Sequence, residues 1–296
     1  MDTRNRSVSS GARLLTMRDL RFRQIRVNVG MPQIHRNFLN SVFFLYRCKE
    51  DAEMGKNTGG TGFLTAVPSQ DGHGHHYGVS NWHIAVNKGC TVIRLNRIDG
   101  GKEIIETDPD AWEFDRKNDL AAVPLSIRDP AHAAFFVGTQ AFMSEGHAAQ
   151  EEIGPGDDVF MIGRFVDLNE HEKNTPTVRF GHISTFPVDV DGKLSYCLDM
   201  HSRSGYSGSP VFWYRTPGSD LRWAVTNQAN FDLTSKFLFL GVLWGQFWED
   251  IKDPETNELT PKGLSGMSCA TPAWKLLELL DRSKFSEQRR LKDHKE

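Results

Sequence analysis

The stretch Gly205-Tyr206-Ser207-Gly208-Ser209-Pro210 sets a serine between two glycines and leads into an apolar run, Val211-Phe212-Trp213-Tyr214. A serine hydroxyl is a poor nucleophile at neutral pH. It needs a base to take its proton and donors to hold the oxyanion that forms. Flanking glycines let the backbone bend so that neighbouring N–H groups converge on one point. A serine in a glycine-rich turn is otherwise an ordinary turn residue, so its chemistry depends on a base and an acid elsewhere in the chain.

Both are present. Val79-Ser80-Asn81-Trp82-His83-Ile84 places a histidine just after a short strand-like run, and Asn118-Asp119-Leu120-Ala121-Ala122-Val123 places an aspartate at the head of an apolar one. Asp108, Asp110 and Asp115 compete for the acid role, but only Asp119 is anchored by a run that predicts a buried strand. The chain order is His, Asp, Ser. Among serine hydrolase designs, α/β-hydrolases run Ser, Asp, His and subtilisin-type enzymes Asp, His, Ser, so only the chymotrypsin-like order fits. The last position of an α/β-hydrolase elbow is glycine, and here it is Ser209.

On these motifs the sequence resembles the trypsin-like, chymotrypsin-fold serine peptidases. Gly60-Thr61-Gly62-Phe63-Leu64-Thr65 is similar to the family's strand before the histidine, and Gly156 to Gly163 to the opening strand of its second barrel. Arg179 to Ser184 is similar to the strand after that, and Gly241-Val242-Leu243-Trp244-Gly245 to the strand that binds substrate backbone. The resemblance covers residues 38 to 272, about four fifths of the chain. It implies an all-β fold of two six-stranded antiparallel barrels with a C-terminal helix. No cysteine follows His83, and Tyr206 stands where animal digestive enzymes carry an aspartate, which removes their zymogen activation route. The chain therefore looks more like the bacterial and organellar members.

The resemblance implies roles by position. Ser207 is the expected nucleophile, His83 the base and Asp119 the residue that orients it. The N–H groups of Gly205 and Ser207 form the expected oxyanion hole. His201, Ser202 and Ser204, with Leu243, Trp244 and Gly245 opposite, line the expected primary side-chain pocket. Because His201 replaces the aspartate at the base of a trypsin pocket, no strong preference for Lys or Arg is expected. Protonated, His201 would favour an acidic residue, though a structural histidine fits the sequence equally well. The expected substrate is a protein or peptide, with no metal and no cofactor. Two other classes compete: a binding or scaffold module on the same fold with partner-triggered activity, and an esterase, which motif order disfavours.

Composition narrows the field. The 296 residues are 39% hydrophobic with a net charge of −3, which supplies no global field for nucleic acid. No apolar run approaches a membrane span. Four cysteines, at 48, 90, 197 and 269, are spread widely, which predicts free thiols in a reducing compartment rather than a secreted disulfide framework. The expected location is cytoplasmic, with an organellar leader as the alternative because seven arginines precede residue 27.

Along the chain, 1–30 is expected to be a basic arm, 31–272 the peptidase domain (barrels at about 38–145 and 146–272) and 273–296 a helix with a charged, frayed tail. Asp-Gly pairs at 71, 99 and 191 predict tight hairpins, and hence antiparallel sheets rather than βαβ units. Thr271-Pro272 predicts a helix cap, with Leu276, Leu277 and Leu280 facing the second barrel. His73, His75 and His76 crowd a predicted hairpin tip, where a solvated loop is a better reading than a metal site.

Overall fold

Among the described residues, fifteen strands make up two mainly antiparallel sheets. The structure is a computed structural model that describes residues 34–69, 72, 74–127, 130–165, 172–215, 236–249 and 263–293. The proposed arm at 1–30, His73 and Asp71 lie outside the described residues. In the first half the strands are β1 (Val42–Tyr46), β2 (Gly60–Val67), β3 (His75–Ser80), β4 (Val92–Asn96), β5 (Lys102–Glu106), β6 (Glu113–Asp115), β7 (Leu120–Leu125) and β8 (Val137–Gly138). In the second half they are β9 (Asp158–Arg164), β10 (Pro176–Ile183), β11 (Val188–Val190), β12 (Lys193–Asp199), β13 (Pro210–Arg215), β14 (Lys236–Glu249) and β15 (Gly263–Pro272).

The first sheet runs β5-β4-β1-β2-β3-β7-β6, with β8 parallel beside β2. The second runs β10-β9-β13-β14-β15-β12-β11, and a further pairing of β10 with β12 closes six of its strands into a barrel. The expected pair of six-stranded barrels is thus one closed barrel and one eight-stranded sheet. No ladder joins β5 to β6 among the described residues.

β1 shows why the sheet is buried on both faces. Alternate residues of a strand face opposite sides. Phe43 and Leu45 enter one apolar cluster, while Phe44 and Tyr46 enter another with Ala52 of α1 (Lys49–Met54). Gly62 sits opposite Phe43 because a Cβ there would overlap the Phe43 ring. The Asp191-Gly192 hairpin forms as expected, with φ of 52° and 77°, the two left-handed positions of a tight β11–β12 turn.

A clamp on Asn174 joins the halves. Its side chain accepts from Arg94 Nε at 2.6 Å and donates to Arg94 O at 2.6 Å, while its main chain exchanges bonds with the Asn96 amide at 2.7 and 2.9 Å.

The C-terminus differs from expectation in three ways. β15 runs through Pro272, so Thr271 does not cap the helix α3 (Ala273–Leu280); its hydroxyl donates instead to Asn118 O at 2.8 Å. α3 does not pack on the second barrel alone, since it touches β14 and β15 but also β6 and β7. The tail is not frayed: residues 283–293 form a further helix, α4 (Ser283–Asp293). Phe285 is fully buried, edge-on to Tyr77 with ring centroids 5.0 Å apart. Three charges of this terminal segment meet the first sheet, Lys284 with Glu113 at 2.6 Å, Arg282 with Asp115 at 3.5 Å and Asp293 with His75 at 2.9 Å. Mixed charge marks a frayed end only when the partners are missing, and here the first sheet supplies them.

His75 and His76 open β3 rather than a loop tip, and His76 stacks on Phe136 at 3.9 Å. The four cysteines are free thiols, Cys48 half-buried and the others buried. No helix among the described residues is long and apolar enough to cross a membrane.

Candidate active site

β3 ends at Ser80, and the chain enters a wide helical turn, His83–Asn87, with His83 first. Across the sheet, Asp119 occupies the left-handed region at φ 54°, in the turn that enters β7. Short polar residues tolerate that conformation best. Asp115 builds the turn: its two carboxylate oxygens accept from Asn118 N at 3.2 Å and from Asn118 Nδ2 at 2.7 Å. Trp82 N and Asn81 Nδ2 donate to Asp119 O at 3.2 and 2.9 Å.

His83 and Asp119 meet closely. The His83 main-chain N–H donates to Asp119 Oδ1 at 2.9 Å, and His83 Nδ1 lies 2.6 Å from Asp119 Oδ2. The carboxylate is buried, while the imidazole keeps 26% of its side chain exposed. A buried acid therefore fixes one ring nitrogen and leaves Nε2 free of it. Of the competing acids, Asp115 holds Asn118 and Asp108 accepts from Asp110 N at 3.0 Å.

The serine turn is held from both halves. Gly205 and Gly208 have φ of 99° and 86°, which require glycine. Gly208 N donates to Leu243 O at 2.9 Å, and Leu243 N donates to Ser209 O at 2.9 Å. From the first sheet, Thr61 N donates to Ser207 O at 2.9 Å and Thr61 Oγ1 donates to Gly205 O at 2.7 Å. With both carbonyls drawn toward Thr61, the N–H groups of Gly205 and Ser207 donate to no acceptor among the described residues.

The Ser207 backbone lies near Ile84, the residue that follows His83. The Ser207 carbonyl and the Ile84 side chain both close on Gly60, at 2.9 and 3.2 Å from the place its Cβ would take. Ser207 is half-buried, and its hydroxyl makes no hydrogen bond to His83 among the described residues.

The expected pocket residues divide. His201 is exposed and packs against Gly266, whose absent side chain leaves room for the imidazole. Ser202 is buried and donates to Gln246 Oε1 at 3.0 Å. Ser204 is exposed, and a Cβ on Gly245 would meet nothing within 4 Å, so this stretch of β14 faces open space. Leu243 is buried and serves through its backbone. The Trp244 ring is engaged by β12, with Nε1 donating to Ser195 Oγ at 3.0 Å and Lys193 Nζ 4.3 Å from the ring centroid. In register with Gly245 on the neighbouring strand, Cys269 also stands opposite Cys197 across β12 and β15, and burial pushes its thiol up to about 12.

Sequence reasoning missed Thr61, Gln246 and Gly266. Thr61 had a signal, a β-branched hydroxyl residue between two glycines. Gln246 and Gly266 had none, because their roles depend on side chains distant in sequence.

A closed barrel carrying the serine turn is thus packed on a second sheet carrying the histidine and aspartate. No family model and no curated protein matches the sequence. Among solved structures, the chain is similar to the apo MamO protease domain from Magnetospirillum magneticum, with 13% identity, a TM-score of 0.49, and 84% of this chain and 100% of that one covered. It is also similar to Deg5, with 15% identity, a TM-score of 0.47, and 82% and 88% covered.

Proposed function

We propose that this chain is a serine endopeptidase that cleaves protein or peptide substrates through an acyl-enzyme. The observation that carries this reading is the pair of hydrogen-bond contacts from Asp119 to His83, together with a serine turn whose Gly205 and Ser207 N–H groups have no acceptor among the described residues. Ser207 Oγ attacks the peptide carbonyl carbon while His83 Nε2 takes the hydroxyl proton. Asp119 stabilises the imidazolium, and Gly205 and Ser207 N–H hold the oxyanion. The C–N bond then breaks as His83 gives its proton to the leaving amine, and water, deprotonated in turn by His83, hydrolyses the ester. His201, Ser202 and Ser204 line one side of the substrate cleft, with Leu243, Trp244 and Gly245 along the other. The chemistry calls for no metal and no cofactor. Four free thiols accord with work in a reducing compartment such as the cytoplasm.

A fluorophosphonate probe tests the reading. It should label the folded wild type at Ser207, and Ser207→Ala and His83→Ala should each abolish labelling. A folded wild type that takes no label and cleaves no peptide would overturn it.

One observation favours a second reading, a peptidase-fold module switched on by a partner. The Ser207 hydroxyl is not bonded to His83, although such bonds often tighten only when substrate binds. This reading expects labelling to rise steeply when a peptide or protein partner is added, and a constant labelling rate removes it.

A further inference from the structure

We infer, on the basis of the endopeptidase reading, that the cleft carries a cationic subsite for an acidic residue on the leaving-group side of the cleaved bond. Gly208 ties the serine turn to Leu243 of β14, the strand that would carry the acyl side of the substrate. The opposite flank of the turn meets β9 and β10. There the Tyr206 hydroxyl bonds Thr177, and its ring closes on Gly163. A chain crossing Ser207 from β14 therefore leaves over this flank.

Two guanidinium groups wait there. Arg179 lies 5.1 Å from the Tyr206 ring centroid and 5.5 Å from that of Phe165. Arg203, whose carbonyl accepts from Tyr206 N at 3.2 Å, lies 5.8 Å from the same Phe165 ring. Stacking on aromatic faces orients a guanidinium but leaves its N–H edge free for an anion. Neither arginine has an ion pair with a carboxylate among the described residues, and Arg179 Nε is buried without a hydrogen-bond partner. Arg215 and Arg289, by contrast, are paired, with Asp157 at 2.9 Å and Asp281 at 3.2 Å. Two planar cations flanking one phenylalanine, with one unsatisfied donor, form a receptor for a carboxylate, which such a fork binds in bidentate fashion.

The test is a binding measurement on full-length Ser207→Ala, which needs no turnover. The probes are two fluorescein-labelled peptide pools, identical except that the C-terminal half carries Glu in one and Gln in the other. Fluorescence anisotropy should show the Glu pool binding about tenfold tighter, with the gap narrowing as salt is raised. Arg203→Ala with Arg179→Gln should erase the gap and leave the Gln pool unchanged. Should that double variant melt early, Arg203→Glu alone, a change at an exposed residue, should reverse the preference. Equal binding of both pools, or a Glu preference that survives these substitutions in folded protein, overturns the subsite. The two readings fail separately: a wild type that labels and cleaves but ignores Glu loses only the subsite, while one that prefers Glu but never labels loses the peptidase.

Discussion

Asp119 holds His83 at two points, one carboxylate oxygen on the main-chain N–H at 2.9 Å and the other 2.6 Å from the ring Nδ1. The backbone bond fixes where the histidine starts, and the ring bond fixes which nitrogen is held and which is left free of Asp119.

Asp119→Asn separates structure from chemistry. Asn tolerates φ 54° and keeps an oxygen for the His83 N–H. Its amide, however, forces the other imidazole tautomer, so kcat should fall about 10⁴-fold with the melting temperature nearly unchanged. Asp119→Ala should melt earlier as well, because it loses both bonds and places a Cβ residue in a left-handed turn with nothing to compensate. Steady-state kinetics beside thermal melts check the pair; equal kcat in wild type and Asp119→Asn would remove Asp119 from the site.

Thr61→Val tests whether the serine turn is positioned from across the seam. Valine keeps the shape and the Thr61 N–H bond to Ser207 O. It removes the hydroxyl that donates to Gly205 O and accepts from Arg164 N at 3.0 Å. A buried acceptor left short costs about 1–3 kcal/mol. The freed Gly205 peptide should misplace its N–H and lower kcat about 10²-fold, with KM less affected. Unchanged kcat in a destabilised variant would show that Thr61 is structural only.

The parts of the candidate site, the His83–Asp119 contact and the serine turn, were legible in the sequence because each is signalled locally. Gly205 and Gly208 had to be glycine for their turn, Asp119 preceded an apolar strand, and His83 followed one. Chain order then selected the architecture. What stayed illegible is where distant groups meet. Thr271 looks like a helix cap in sequence, yet Asn118 O, 153 residues away, takes its hydroxyl. The tail after Arg282 looks solvated because Glu113, Asp115 and His75, which pair with it, lie far back in the chain. The closed and open sheets differ by one ladder, β10 with β12, which no strand pattern encodes.

Phe285→Ala should cost about 3–5 kcal/mol, since the ring is fully buried against Tyr77 and is the buried anchor of α4. Arg282→Ala, with its side chain 43% exposed, should cost under about 1 kcal/mol. Urea titrations of the two variants give the comparison. Near-equal midpoints would mean that charge pairing, rather than the buried ring, secures the terminal helix.

Cys269 gives an alkaline prediction with a definite sign. Burial, reinforced by the neighbouring Cys197, lifts its thiol from an ordinary 9.0 to about 12. Between those values the unfolded chain has lost this proton and the folded chain keeps it. The folded state therefore binds more protons, and stability from this group falls as pH rises from about 9 to 12. Below 9 both states are protonated and the group contributes no slope. Urea midpoints of wild type and Cys269→Ala should converge as pH rises through that window, because alanine lacks the titration. In parallel, iodoacetamide at neutral pH should leave Cys269 unmodified in the folded protein and react with it once urea unfolds the chain. A midpoint difference that stays constant from pH 8 to the upper end of the window would show that the Cys269 thiol is not held neutral by its burial.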